Sequence, residues 1–131
     1  MVVRRLKLNN EKFIIEGPVK KLKGTLPVRG SKNACLKAMA AAVLTEKPVT
    51  VKNILLIEDI FRMKELLEAL GVKVEKTSER AFLISDENVK KTALNFEIAK
   101  SLRASVALTG PLLARFGTVS FPFPGGCVIG K

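Results

Sequence analysis

Three short stretches carry side chains whose types and spacing suit work on an anionic substrate. In Pro122-Phe-Pro-Gly-Gly-Cys127-Val-Ile-Gly130 a thiol is flanked by glycines. Glycine frees the backbone to move and to approach a ligand closely. A cysteine there is expected to be accessible, and nearby cations such as Lys32 or Arg103 would lower its pKa and favour the nucleophilic thiolate. The alternative is an idle loop cysteine. In Arg29-Gly-Ser-Lys-Asn-Ala34 a break precedes a cap residue, a cation and a neutral amide. A helix start offers unpaired N–H groups and the positive end of the helix dipole, both suited to anions. Lys32 in that first turn opposes the dipole unless an anion completes the site, with Asn33 as a further donor. An ordinary surface lysine beside a cap is the competing reading. In Lys100-Ser-Leu-Arg-Ala-Ser105 an arginine stands early in a mostly apolar segment. Its planar fork fits phosphate or carboxylate, unless it merely snorkels to the surface.

The chain has no His and only two Cys. Acid–base chemistry therefore falls to Cys, Asp, Glu or Lys, or to residues elsewhere. No metal site is expected, because common zinc sites use His or four Cys. Cys35 lies among small helix-forming residues and reads as core packing. Gly125-Gly-Cys-Val-Ile-Gly-Lys131 matches the spacing of a phosphate-binding P-loop. It lacks the following Ser or Thr and the helix that would present its N–H groups, so that reading is set aside.

These residues need elements to hold them. Residues 12–16 read as a strand closed by Gly17-Pro18, and 24–29 as a second strand with Pro27 at an edge. Ser31 reads as the N-cap of a helix from Lys32 to about Thr45, apolar nearly all round and so expected to be buried on most sides. Val49-Thr-Val-Lys-Asn53 alternates as a strand does. Residues 58–70 form an amphipathic helix stopped by Gly71. Residues 72–75 and 81–84 form a strand pair. Residues 96–115 are mostly helical, with an interruption near Gly110-Pro111, and 118–121 is a last strand. A weak repeat sets Ser31-Lys-Asn-Ala and its helix beside Ser101-Leu-Arg-Ala and its helix, with Ser101 in the place of the cap.

The 131 residues fit one domain. They are 47% hydrophobic and 27% charged, a globular balance with no apolar run of membrane-spanning length. With no secretory leader pattern and two cysteines, a cytoplasmic protein without disulfides is expected. The formal charge of +11 suits a solvated basic surface, a phosphate-bearing small molecule or nucleic acid. Seven Phe but no Tyr or Trp, and no aromatic–basic cluster, argue against a nucleic-acid stacking surface. A basic nucleic-acid-binding domain is kept as the alternative.

Taken together, Gly30-Ser-Lys-Asn-Ala34, Leu102-Arg-Ala-Ser105 with Gly110-Pro-Leu-Leu-Ala-Arg-Phe-Gly117, and Pro124-Gly-Gly-Cys-Val-Ile-Gly130 resemble, in order and separation, the UDP-N-acetylglucosamine enolpyruvyl transferases. The similarity runs from about Ile15 to Lys131. It implies an α/β (α+β) fold, an inside-out barrel of repeated sheet–helix units, present here in part. Residues 1–30 would be strands that pack into the family's second domain. Residues 31–131 would be a partial first domain of about one and a half repeats, ending in the catalytic loop. The resemblance further implies transfer of an enolpyruvyl group from phosphoenolpyruvate to the 3′-hydroxyl of UDP-N-acetylglucosamine, the first committed step of peptidoglycan synthesis, without metal or organic cofactor. Lys32 and Asn33 match the pair that contacts phosphoenolpyruvate, and Arg103 a substrate-binding arginine. Cys127 matches the loop cysteine regarded as proton donor, which fosfomycin alkylates. Family members are about three times longer. The chain is therefore expected to be a truncated or split part, inactive alone, or a remnant that associates with a separate chain carrying the rest. Where many members have a basic residue near position 58, this sequence has Glu58.

Overall fold

A computed structural model describes residues 2–6, 12–17, 23–86, 89, 91–123 and 125. Strands β1 (Val2–Leu6) and β2 (Lys12–Glu16) form an antiparallel pair with Val2 opposite Glu16. The β2 span is the one the sequence predicts. The charged pair Arg4-Arg5 hides the alternation of β1. Residues 24–29 form no strand. Leu26 and Val28 are 88% and 89% exposed. A strand is stabilised by its ladder partners, and no described residue pairs with this segment.

The first helix, α1 (Lys32–Ala41), opens at Ser31, whose hydroxyl accepts from the Ala34 N–H at 3.4 Å. It tightens into a 3₁₀ turn, Ala42–Leu44, ahead of Pro48. It is buried on one face only, through Cys35, Leu36, Met39 and Ala40. Ala38, Ala41 and Leu44 are exposed, contrary to the expectation of a helix covered on most sides. The alanines are small and cost little when left in water, so an Ala-rich composition does not require a helix covered on most sides.

The following strand, β3 (Val49–Lys52), ends at Asn53, which adopts a left-handed φ of 56°. Asparagine tolerates that conformation better than most residues. The turn brings the Asn53 carbonyl against Gly30, so close that a methyl on Gly30 would overlap the oxygen. Only glycine leaves room for this approach, and the contact fixes where α1 begins.

Helix α2 (Glu58–Leu70) has the predicted span. Its N-cap, Ile57, offers no side-chain acceptor, but Glu58 and Asp59 in the first turn complement the dipole. Gly71 ends it with φ 102°. Strands β4 (Lys73–Ser78) and β5 (Ala81–Ser85) then join β3 in an antiparallel sheet of order β3-β5-β4, with a bulge between Lys76 and Ser78. Helices α1 and α2 pack on each other, α1 also against β3 and α2 against β4. The core joins Leu36, Met39 and Val43 with Ile60, Met63, Leu66 and Leu67, and with Phe82 and Ile84 of the sheet.

The last helical region breaks at a different place from the one expected. Helix α3 (Phe96–Ser101) starts on Asn95, whose side chain accepts from the Ile98 N–H at 3.1 Å. Leu102 is extended, with φ −126° and ψ 109°. A 3₁₀ segment, Arg103–Leu108, runs directly into α4 (Thr109–Phe116). Pro111 falls in the first turn of α4, where the helix tolerates it. Ser101 is therefore no cap: its hydroxyl donates back to the Ile98 carbonyl at 2.7 Å, and that element of the internal repeat fails. Residues 118–121 likewise form no strand. Ser120 makes only an isolated parallel bridge to Ala93. Among the described residues no helix is long and apolar enough to cross a membrane.

Candidate functional site

The break at Leu102 has a consequence for the site. It turns the chain so that Arg103 begins a new segment facing the start of α1. A cavity of about 630 Å³ lies there, lined by Lys32, Asn33 and Leu36 of α1, Asp59 of α2, and 101–104 with Val106. That volume is in the range of about 300–1,000 Å³ typical of small-molecule sites. Three residues singled out in the sequence, Lys32, Asn33 and Arg103, thus share one cavity although 70 positions separate the first from the last. Leu36, Leu102, Ala104 and Val106 give it apolar wall between the charged groups.

Lys32 is the first residue of α1, a helix with no acidic side chain in its first turn. Its ammonium lies 2.8 Å from a carboxylate oxygen of Asp59. Both side chains keep substantial exposure, 49% and 39%. An ion pair so hydrated is worth at most about 1 kcal/mol, which leaves the lysine exchangeable to a better anion. Sequence reasoning missed Asp59. A first-turn acid reads as ordinary dipole compensation, and only the packing of α1 on α2 carries it to the cavity. Glu58, its neighbour, pairs with Arg62 at 2.9 Å on the outer face of α2 and is not among the lining residues. No contact to this cavity comes from position 58.

Cys127 lies outside the described residues. Two positions earlier, Gly125 packs on the carbonyl of Lys100 so closely that a methyl there would overlap it. Gly125 thus sits against the last turn of α3, which Lys100 shares with Ser101 of the cavity wall. Cys35 is 7% exposed within the core, and burial pushes its thiol upward, opposed in part by a backbone hydrogen bond at Leu55. The packing role expected for Cys35 agrees with this.

The segments around the cavity are clamped from behind. Arg115 of α4 donates to the carboxylate of Asp86 and to the Val43 carbonyl at 2.9 Å, and reaches Glu46 at 3.4 Å. One guanidinium therefore ties α4 to the end of the α1 unit and to the end of β5.

A family model described as EPSP synthase (3-phosphoshikimate 1-carboxyvinyltransferase) matches residues 17–131. The chain belongs to this family. Within the EPSP synthase family, the UDP-N-acetylglucosamine 1-carboxyvinyltransferase of Treponema denticola is 45% identical over 121 residues, covering 91% of this chain and 28% of that protein. Proteins of the same name from Solibacter usitatus and Koribacter versatilis are 43% and 42% identical, over 92% of this chain and 28% of theirs. The chain spans little more than a quarter of the length of these relatives. The crystal structure of the enolpyruvyl transferase NikO from Streptomyces tendae matches with a TM-score of 0.65 over 73% of this chain and 22% of that one. At 22% identity this likeness shows the fold, a partial enolpyruvyl-transferase architecture.

Proposed function

We propose that this chain supplies the phosphoenolpyruvate-facing part of a UDP-N-acetylglucosamine enolpyruvyl transferase. The observation that carries the proposal is the single cavity holding Lys32, Asn33 and Arg103. Lys32 and Asn33 would bind the phosphate and carboxylate of phosphoenolpyruvate, and Arg103 would hold substrate from the facing wall. Two cations fix an anionic substrate in one orientation, which removes much of the entropic part of the barrier. Cys127 would bring its thiol to the reacting carbon as proton donor, with Gly125 and Gly126 allowing its loop to close. The names of the relatives favour UDP-N-acetylglucosamine as acceptor over the shikimate-type acceptor in the family's description. Residues 1–30 would pack against a second domain, and 31–131 would form part of the first. The rest of the site would come from the further length that the relatives possess, so these residues alone would bind but not turn over. The proposed place of action is the cytoplasm.

Saturation-transfer NMR on the 131-residue chain tests the acceptor. UDP-N-acetylglucosamine with phosphoenolpyruvate is expected to give a signal that Arg103→Ala removes. A signal from shikimate 3-phosphate, and none from the nucleotide sugar, would reassign the chain to the shikimate branch.

A further inference from the structure

We infer that Asp59 is a positioning residue for Lys32: an internal counter-ion that holds the ammonium at the cavity and is exchanged for the substrate anion. The inference rests on the proposal that the cavity takes an anion. Lys32 begins a helix whose first turn contains no acid, so its charge faces the positive end of α1. Asp59 of the adjacent helix α2 supplies a counter-charge 2.8 Å away. The same carboxylate has a second support. It lies in the first turn of α2, whose cap offers no side-chain acceptor, where negative charge is favoured. When an anion takes Lys32, Asp59 is therefore not left without stabilisation. Exposure of both partners lets the exchange proceed through water. With Asp59 in place the three charged groups of the lining, Lys32, Arg103 and Asp59, sum to one positive charge. Without it they present two.

Amide NMR titration of the full 131-residue chain with inorganic phosphate at constant ionic strength tests this. Asp59→Asn is expected to tighten phosphate binding up to about fivefold, because the Lys32 ammonium no longer has to leave a competing carboxylate before it takes the anion. In a Lys32→Ala background the same change is expected to do markedly less. Glu58→Gln, which removes an equal charge one residue away, is expected to leave the affinity within about twofold, because its carboxylate faces Arg62. Dispersed amide spectra verify that each variant folds. The inference is overturned if Asp59→Asn leaves binding unchanged or weaker, or if it tightens binding equally without Lys32. A titration in which wild type and Lys32→Ala behave alike would remove the anion site itself, and the inference with it.

Discussion

Replacing Arg115 by methionine is expected to lower folding stability by about 3–5 kcal/mol, the cost of stranding a buried charge. Asp86 is 1% exposed, paired with Arg115 and with a lesser backbone hydrogen bond at Val89. Burial pushes its carboxyl above the ordinary carboxylate range, and the Arg115 guanidinium is the chief influence opposing that rise. In Arg115→Met the opposing charge is gone, while the methionine stem still fills much of the space. A carboxyl raised in the folded state holds its proton where the unfolded chain, near pKa 3.9, has already lost it. Stability of Arg115→Met is therefore expected to increase as pH falls from neutrality through the raised native value, and to level off near the unfolded one. The wild type follows the same direction with smaller amplitude. The double variant Arg115→Met/Asp86→Leu is expected to recover much of the loss, since removing both charges leaves no orphan. Urea titrations at pH 7 and pH 5 read the wild type, Arg115→Met, Asp86→Leu and the double variant. Loss below about 1 kcal/mol in Arg115→Met, or a double variant as unstable as the sum of its parts, would show that the pair is not electrostatically buried.

Iodoacetamide is expected to modify Cys127 in the folded chain roughly a hundredfold faster than Cys35, and fosfomycin to follow the same order. Cys35 is shielded twice. The residue is only 7% exposed on the core-facing side of α1, and burial raises its pKa, which favours the less reactive thiol form. Cys127 follows two glycines in sequence, the first of which, Gly125, packs on the Lys100 carbonyl. Peptide mass spectrometry at timed intervals gives both rates in one sample, and in denaturant the two rates should converge. Preferential labelling of Cys35 in the folded chain would contradict the assignment of the reactive thiol.

What could be read beforehand follows the range of the physics involved. Helix α2 was legible to the residue because its signals are local: a first turn of acids, apolar spacing and a left-handed glycine. Ser31 as cap and β5 as a strand were legible for the same reason. The segment 24–29 has strand-like residues but no partner, and partnership is not a local property. The break at Leu102 was placed eight residues late, at Gly110-Pro111, because proline is a strong breaker only beyond a helix's first turn. That error matters, since the extended Leu102 is what turns Arg103 to the cavity. Lys32, Asn33 and Arg103 could be named from sequence as candidate anion contacts, but their meeting in one cavity could not. Asp59 was invisible for the complementary reason: its local explanation was sufficient, so nothing pointed to its second partner across the fold.

Lys32, Asn33 and Arg103 are proposed to act as one site for phosphoenolpyruvate. Amide NMR of the chain titrated with phosphoenolpyruvate tests it most directly. Saturable shifts confined to residues 31–36, the vicinity of Asp59, and 101–106 are expected, all abolished in Lys32→Ala/Arg103→Ala. Shifts scattered over the basic surface, or shifts that persist in the double variant, would contradict it.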